Sequence, residues 1–282
     1  MARDPGAMDR PPTPSPRGRL LAIVGASGGC GASTLAAATA RYAAETGRSV
    51  VLVDGAAGGA GLDVVLGIEH VAGVRWPDLV GCRGVVDGRG LIARMPRSGP
   101  VAVLAHCRES PLAVGAAAVR GVVAGLVAAV DLVVVDAPRS WSLSSLSSLS
   151  SLSSLSSVGS VSSVAPVPSG SQAPGGVQAD LAVVVADTGV VELAALAATG
   201  PRVARHVPQT HLVLRGRRVS RALVDDVEAA LDLPVLGVLG EDPQVARDVA
   251  HGIPPGGSRG PVADLARLVI EALDDEPGQV AS

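Results

Sequence analysis

The chain has no lysine and no phenylalanine, so all 23 of its basic residues are arginine. Aromatic residues are reduced to Tyr42, Trp76 and Trp141. A core without aromatics has to be assembled from valine, leucine, isoleucine and alanine. That composition suits strands covered on both faces by helices. Only three cysteines are present, Cys30, Cys82 and Cys107, with no CxxC spacing. This argues against a structural zinc site or a disulfide framework and for reduced thiols, the usage expected of a cytoplasmic protein. The N-terminus carries no apolar signal core. The longest apolar stretch, Val122 to Val135, is interrupted by Asp131 and is too short to cross a bilayer. The net charge of −3 gives no general attraction to nucleic acid or anionic lipid, so neither is expected as a partner beyond peripheral membrane contact.

What is present is an alternation of short β-branched runs with alanine-rich helical segments. Strands are expected at Leu20–Val24, Ser49–Val53, Val101–Ala105, Asp131–Val135, Ala179–Val185, His211–Arg215 and Pro234–Leu239. Helices are expected at Leu35–Ala44, Pro111–Val130, Val190–Ala198, around Asp225–Leu231 and at Val262–Leu273. Such alternation predicts a single α/β domain, a doubly wound and mostly parallel sheet. Residues 1–18, rich in proline and charge, read as a tail, and 277–282 as a second one. Residues 19–140 form the first part of the domain and 179–276 the second. Between them, 141–178 is a serine- and leucine-rich insertion, in which 142–157 repeat with a period of three. That period fits neither helix nor strand, so the stretch reads as low-complexity sequence. The terminal helix ends in Asp274, Asp275 and Glu276 rather than basic flanks, which favours core packing over a membrane surface.

Between the first strand and the first helix lies Gly25-Ala26-Ser27-Gly28-Gly29-Cys30-Gly31-Ala32-Ser33-Thr34. Glycines let backbone amides close on an anion, and the helix N-terminus adds a favourable dipole. Ser33 or Thr34 would place a hydroxyl on Mg²⁺. Two ligand classes fit: a nucleotide in a P-loop, or a nicotinamide dinucleotide with Asp54 on the ribose. The dehydrogenases with such a loop use a Tyr-x-x-x-Lys pair. Without lysine that chemistry is excluded, although dinucleotide binding is not. The strand Leu132-Val133-Val134-Val135-Asp136 favours the P-loop. It is a Walker B arrangement, with Asp136 holding Mg²⁺ directly or through water.

With these residues assembled, the chain resembles the MinD/ParA group of deviant Walker P-loop ATPases. Within that group it is most similar to the CpaE-like, actinobacterial septum-site-determining branch. The likeness is carried by Gly25–Thr34, by the stretch Asp54–Gly67, by Gly73–Leu79 (GVRWPDL, the most specific) and by Leu132–Arg139. It implies an ATP- and Mg-binding regulator of septum placement or of a pilus or secretion apparatus. The same resemblance implies nucleotide-dependent self-association and partners in the division or secretion machinery. The phosphate seat would comprise Gly25, Ser27, Gly28, Gly29, Cys30, Gly31, Ala32, Ser33, Thr34 and Arg139. Ser33 and Asp136 would hold the metal, and Asp136 and Asp54 would be the catalytic acids.

The departures from the family bear on chemistry. The signature lysine corresponds to Ser27 and the P-loop lysine to Ala32, and the second acid after strand two is replaced by Ala56. Losing one cation near the transferred phosphoryl group costs roughly 3 kcal/mol of transition-state stabilisation. Nucleotide binding with slow or absent hydrolysis is therefore expected. Arg139 offers a partial replacement, which leaves open a slow ATPase, and a ligand-free scaffold is the third reading. Trp76 reads as a packing anchor, and Asp63 as either a switch residue or the cap of a helix at Val64. The cluster Arg215, Arg217 and Arg218 reads as a solvated loop, or as a group near the nucleotide base. The five histidines show no ligand spacing.

Overall fold

The computed structural model describes residues 17–55, 61–107, 114–139, 178–257 and 259–275. Eight strands form one sheet. They are β1 (Arg19–Gly25), β2 (Val50–Asp54), β3 (Arg97–Ser98), β4 (Val101–Leu104), β5 (Leu132–Ala137), β6 (Leu181–Asp187), β7 (Thr210–Arg215) and β8 (Val235–Leu239). Their spatial order is β3-β4-β2-β5-β1-β6-β7-β8. Every pair is parallel except β3 with β4. The helices are α1 (Ala32–Glu45), α2 (Leu62–Val65), α3 (Gly88–Ile92), α4 (Ala116–Val127), α5 (Val190–Ala204), α6 (Arg221–Leu231), α7 (Pro243–Ala250) and α8 (Pro261–Asp274), with a 3₁₀ turn at Trp76–Leu79.

The strands alternate their side chains between two apolar layers. Leu20, Ala22, Val24, Val133 and Val135 face a layer completed by Val122 and Leu126 of α4, Leu196 of α5 and Val227 of α6. Leu21, Ile23, Leu132 and Val134 face the other, completed by Leu35 of α1 and Leu265 and Val269 of α8. With apolar residues needed on both faces, these strands read as unbroken Val/Leu/Ile runs.

The seven expected strands are present to within a residue or two, and β3 is an addition. It is a two-residue antiparallel edge, too short to leave a periodic signal. Of the expected 111–130 helix, the described part runs Ala116–Val127. The helix expected at Val190–Ala198 continues through Pro201 to Ala204. That near Asp225 starts earlier, at Arg221, because Ser220 caps it by accepting a hydrogen bond from the Leu223 amide. Of the tail expected over 1–18, residues 17 and 18 are described, and the Gly18 amide bonds Val127 O at 3.2 Å. The insertion at 141–178 lies outside the described residues except for Gln178. No helix among the described residues is long and apolar enough to cross a membrane.

The crossover from β1 runs toward β2, whereas that from β6 runs toward β7. The topological switch point therefore lies between β1 and β6. Ligands of open α/β sheets bind beyond the strand C-termini at such a point, and the glycine loop after β1 is located there.

Candidate functional site

The loop leaves β1 at Gly25 and enters α1 through Gly31, whose φ of 93° no side-chain-bearing residue adopts cheaply. The turn delivers the first amides of α1 toward the space above the sheet. Cys30 and Ala32 are buried, Ser33 and Thr34 are half-buried, and Gly28 and Gly29 are exposed. Burial pushes the Cys30 thiol up, so it stays protonated and packs as a small apolar residue. The Oγ of Ser27, at the signature-lysine position, is buried without a hydrogen-bond partner.

The three expected acid and hydroxyl groups converge. The Ser33 hydroxyl donates to the Asp136 carboxylate. Asp54 ends β2 in register with Asp136 on β5. Burial, with a smaller contribution from the Asp54 charge, pushes Asp136 up to about 6 against the opposing Ser33 hydrogen bond. Asp54 also accepts the Leu62 amide at 3.1 Å, so the carboxylate holds the start of α2. Two carboxylates and a hydroxyl beside a glycine loop form a hard-oxygen set suited to Mg²⁺. No group of three or more acidic, histidine or cysteine side chains among the described residues could hold a metal alone.

The arginines divide. Arg139 is exposed, and its Nη1 donates to Ala26 O at 3.3 Å, while Arg202 on α5 donates to the Arg139 carbonyl at 2.6 Å. Arg215 does not behave as a solvated loop residue. It ends β7, is 31% exposed, donates from Nη1 to Gly29 O and lies 3.9 Å from Asp187. A cavity of about 270 Å³ opens beside it, lined by Gly29, Gly31, Thr34 and residues of α7. Arg217 does fit the solvated reading, 82% exposed and 3.4 Å from Glu241.

Behind Asp54 lies a layer that the sequence did not assign to the site. Trp76 is fully buried, as a packing anchor should be, and its Nε1 donates to Asp54 O at 2.6 Å. The His106 ring stacks on Trp76 at 5.9 Å between centroids. Burial holds His106 below the usual imidazole range, and the Asp54 charge opposes this. His106 follows β4, next to β2, so only the strand order brings it here. Asp63 lies inside α2, accepts the Val64 amide at 2.9 Å and sits 3.8 Å from Arg75 Nη1. Arg75 in turn donates to the carbonyls of Ile68 and Val71. GVRWPDL is therefore the segment that fastens the region after β2 to the end of that strand.

No family model matches the chain. Among curated proteins, the chain is 28% identical over 257 residues to an uncharacterized protein of Mycobacterium tuberculosis, found alike in strains CDC 1551 and H37Rv. The match covers 91% of this chain, which spans 64% of the length of those relatives. Among solved structures, a ParA family ATPase from Chlorobium tepidum TLS superposes with a TM-score of 0.67 at 14% identity, covering 92% of this chain and 99% of that one. The septum site-determining protein MinD complexed with Mg-ADP from Pyrococcus horikoshii OT3 gives 0.63 at 20% identity, covering 91% and 96%. The chain thus has the fold of the MinD and ParA P-loop ATPases over most of its length.

Proposed function

We propose that the chain is a cytoplasmic nucleotide-binding regulator of the MinD/ParA kind, of the CpaE-like, septum-site-determining branch, acting on septum placement or on a pilus or secretion apparatus. The observation that carries this reading is the Ser33 hydroxyl on the Asp136 carboxylate at the mouth of the glycine loop. A strand-to-helix turn with no ligand has no need of an acid buried at a cost beside a second acid. The fold is that of a protein crystallised with Mg-ADP, which supports the choice of ligand.

The loop amides and the α1 N-terminus would hold the phosphates, and Ser33 and Asp136 would hold Mg²⁺, which neutralises phosphate charge when bound. Asp54 would orient a water facing the terminal phosphate. No cation rises from the loop itself, because Ser27 and Ala32 occupy both lysine positions. Arg139 reaches the loop from beyond β5, with its Nη1 on Ala26 O. Binding with slow or no turnover follows, and the output is assembly rather than chemistry. The exposed apolar pair Val190 and Val191, 86% and 76% accessible at the start of α5, supports nucleotide-dependent self-association.

Isothermal titration with ATP and Mg²⁺ tests the reading, together with phosphate release. Saturable binding with turnover well below ordinary ATPases is expected. A melting temperature and a titration both indifferent to ATP and Mg²⁺ would show a ligand-free scaffold. Fast phosphate release that disappears in Asp136→Ala would show a working ATPase instead.

A further inference from the structure

Two arginines hold the glycine loop from opposite sides. Arg139 comes from just beyond β5 and donates to Ala26 O; Arg215 comes from the end of β7 and donates to Gly29 O. In the sheet, β5 lies on one side of β1 and β6-β7 on the other. The loop is thus bracketed by two fixed cations, three residues apart along its backbone, in a chain whose loop carries none. We infer that Arg139 and Arg215 together supply binding charge in place of the absent loop lysines and hold the polyphosphate chain of the nucleotide. The inference rests on the reading that the loop seats a nucleotide, and adds which residues supply its charge.

The chemistry favours such a transfer. A guanidinium has five N–H donors in a rigid fork, so one bond to a loop carbonyl leaves donors free for a second acceptor. A phosphate oxygen is a stronger acceptor than a neutral carbonyl, since charge-assisted bonds are about twice as strong. Arg215 is placed for this: with Gly29, Gly31 and Thr34 it lines the cavity beside the loop. Asp187 at 3.9 Å holds its guanidinium in place without a close contact. Arg217, two residues on, has the same charge but is paired with Glu241 away from the loop. It is the internal control.

The test is isothermal titration of the full chain with Mg-ATP and, separately, with inorganic tripolyphosphate. Arg139→Ala and Arg215→Ala are each expected to weaken both ligands about tenfold, and the double variant about a hundredfold. Arg217→Ala should bind as the parent does. Arg215→Lys keeps the charge but loses the fork, and an intermediate affinity is expected. It also guards against Arg215→Ala failing to fold, which a ligand-free melting curve would reveal. A double variant that binds as tightly as the parent overturns this inference and leaves the nucleotide reading intact. A loss confined to one arginine overturns the paired role. A parent chain that binds neither ligand overturns both readings together.

Discussion

Asp54 and Asp136 stand in direct register near the C-terminal ends of neighbouring parallel strands, with one carboxylate buried against the charge of the other. The strands of this sheet are built largely from Val, Leu and Ala, and two acids side by side among them are costly to bury. The arrangement costs stability, which a bound cation would relieve.

Asp136 therefore gives a signed pH prediction. Its carboxyl titrates at about 6 in the fold against 3.8 in an open chain. The folded state holds the extra proton between these values, so stability contributed here falls as pH rises through that window. Above it the full penalty of about 3 kcal/mol is present. Asp136→Asn removes the titration while keeping a polar partner for Ser33. The variant should resist urea better than the parent at pH 8, and the advantage should shrink toward pH 4. Burial also holds His106 and His211 below the imidazole range. The fold favours their neutral forms and so loses stability as pH falls in both proteins, which makes the difference between the two urea curves the quantity to read. An advantage that grows on acidification contradicts the assignment.

Trp76 offers a stability prediction from one hydrogen bond. Its Nε1 donates to Asp54 O in a fully buried setting. Trp76→Phe keeps most of the apolar volume and strands that carbonyl without its donor, at a cost of about 1–3 kcal/mol. Trp76→Ala adds a cavity and should cost about 3–5 kcal/mol. Chemical denaturation measures both. If Phe proves as costly as Ala, the hydrogen bond rather than the packing dominates. If Phe costs nothing, GVRWPDL is not fastened to β2 through this bond.

How far the sequence disclosed this site depends on the range of each signal. Gly25 to Thr34 and Leu132 to Asp136 are local patterns, and both the strand-loop-helix and the strand-plus-acid were readable. The elements that escaped reading are short or lie at the surface: β3 has two residues, α3 five, and α7 buries no residue at all. The hydrogen bond from Arg215 to Gly29 spans 186 residues of chain, and no local pattern encodes it. It exists because β7 follows β6 and β6 follows β1 in the sheet. His106 was similarly hidden, since it meets Asp54 only through the β4-β2 pairing. Composition could announce that the loop cations were missing, but only the strand order shows what stands in their place.

Self-association should pass through the start of α5. Val190 and Val191 are apolar, adjacent and nearly fully exposed, a placement that costs solubility without a partner. Substituting both by aspartate should leave the monomer's folding stability within about 0.5 kcal/mol of the parent, as exposed positions usually do. Sedimentation velocity with Mg-ATP should show a parent that dimerises and a variant that does not. Equal dimerisation of both would move the interface elsewhere.

The last expectation reverses the loss that defines this loop. Ala32 opens α1 immediately after Gly31, where a lysine would point its ammonium at the phosphates. Ala32→Lys should tighten Mg-ATP at least tenfold, equivalent to about 1.4 kcal/mol. It should also raise phosphate release by about two orders of magnitude, the reverse of removing one charge-stabilising group. The two readouts separate binding from chemistry. Tighter binding with unchanged turnover means that the seat is intact but Asp54 cannot orient the attacking water. In that case the chain is built to hold a nucleotide rather than to consume it. No gain in affinity means that Arg139 and Arg215 already saturate the phosphates, or that the loop does not cradle them. Repeating the substitution in the Arg139→Ala/Arg215→Ala background distinguishes these two: rescue by lysine there requires a phosphate at the loop, and failure to rescue removes it.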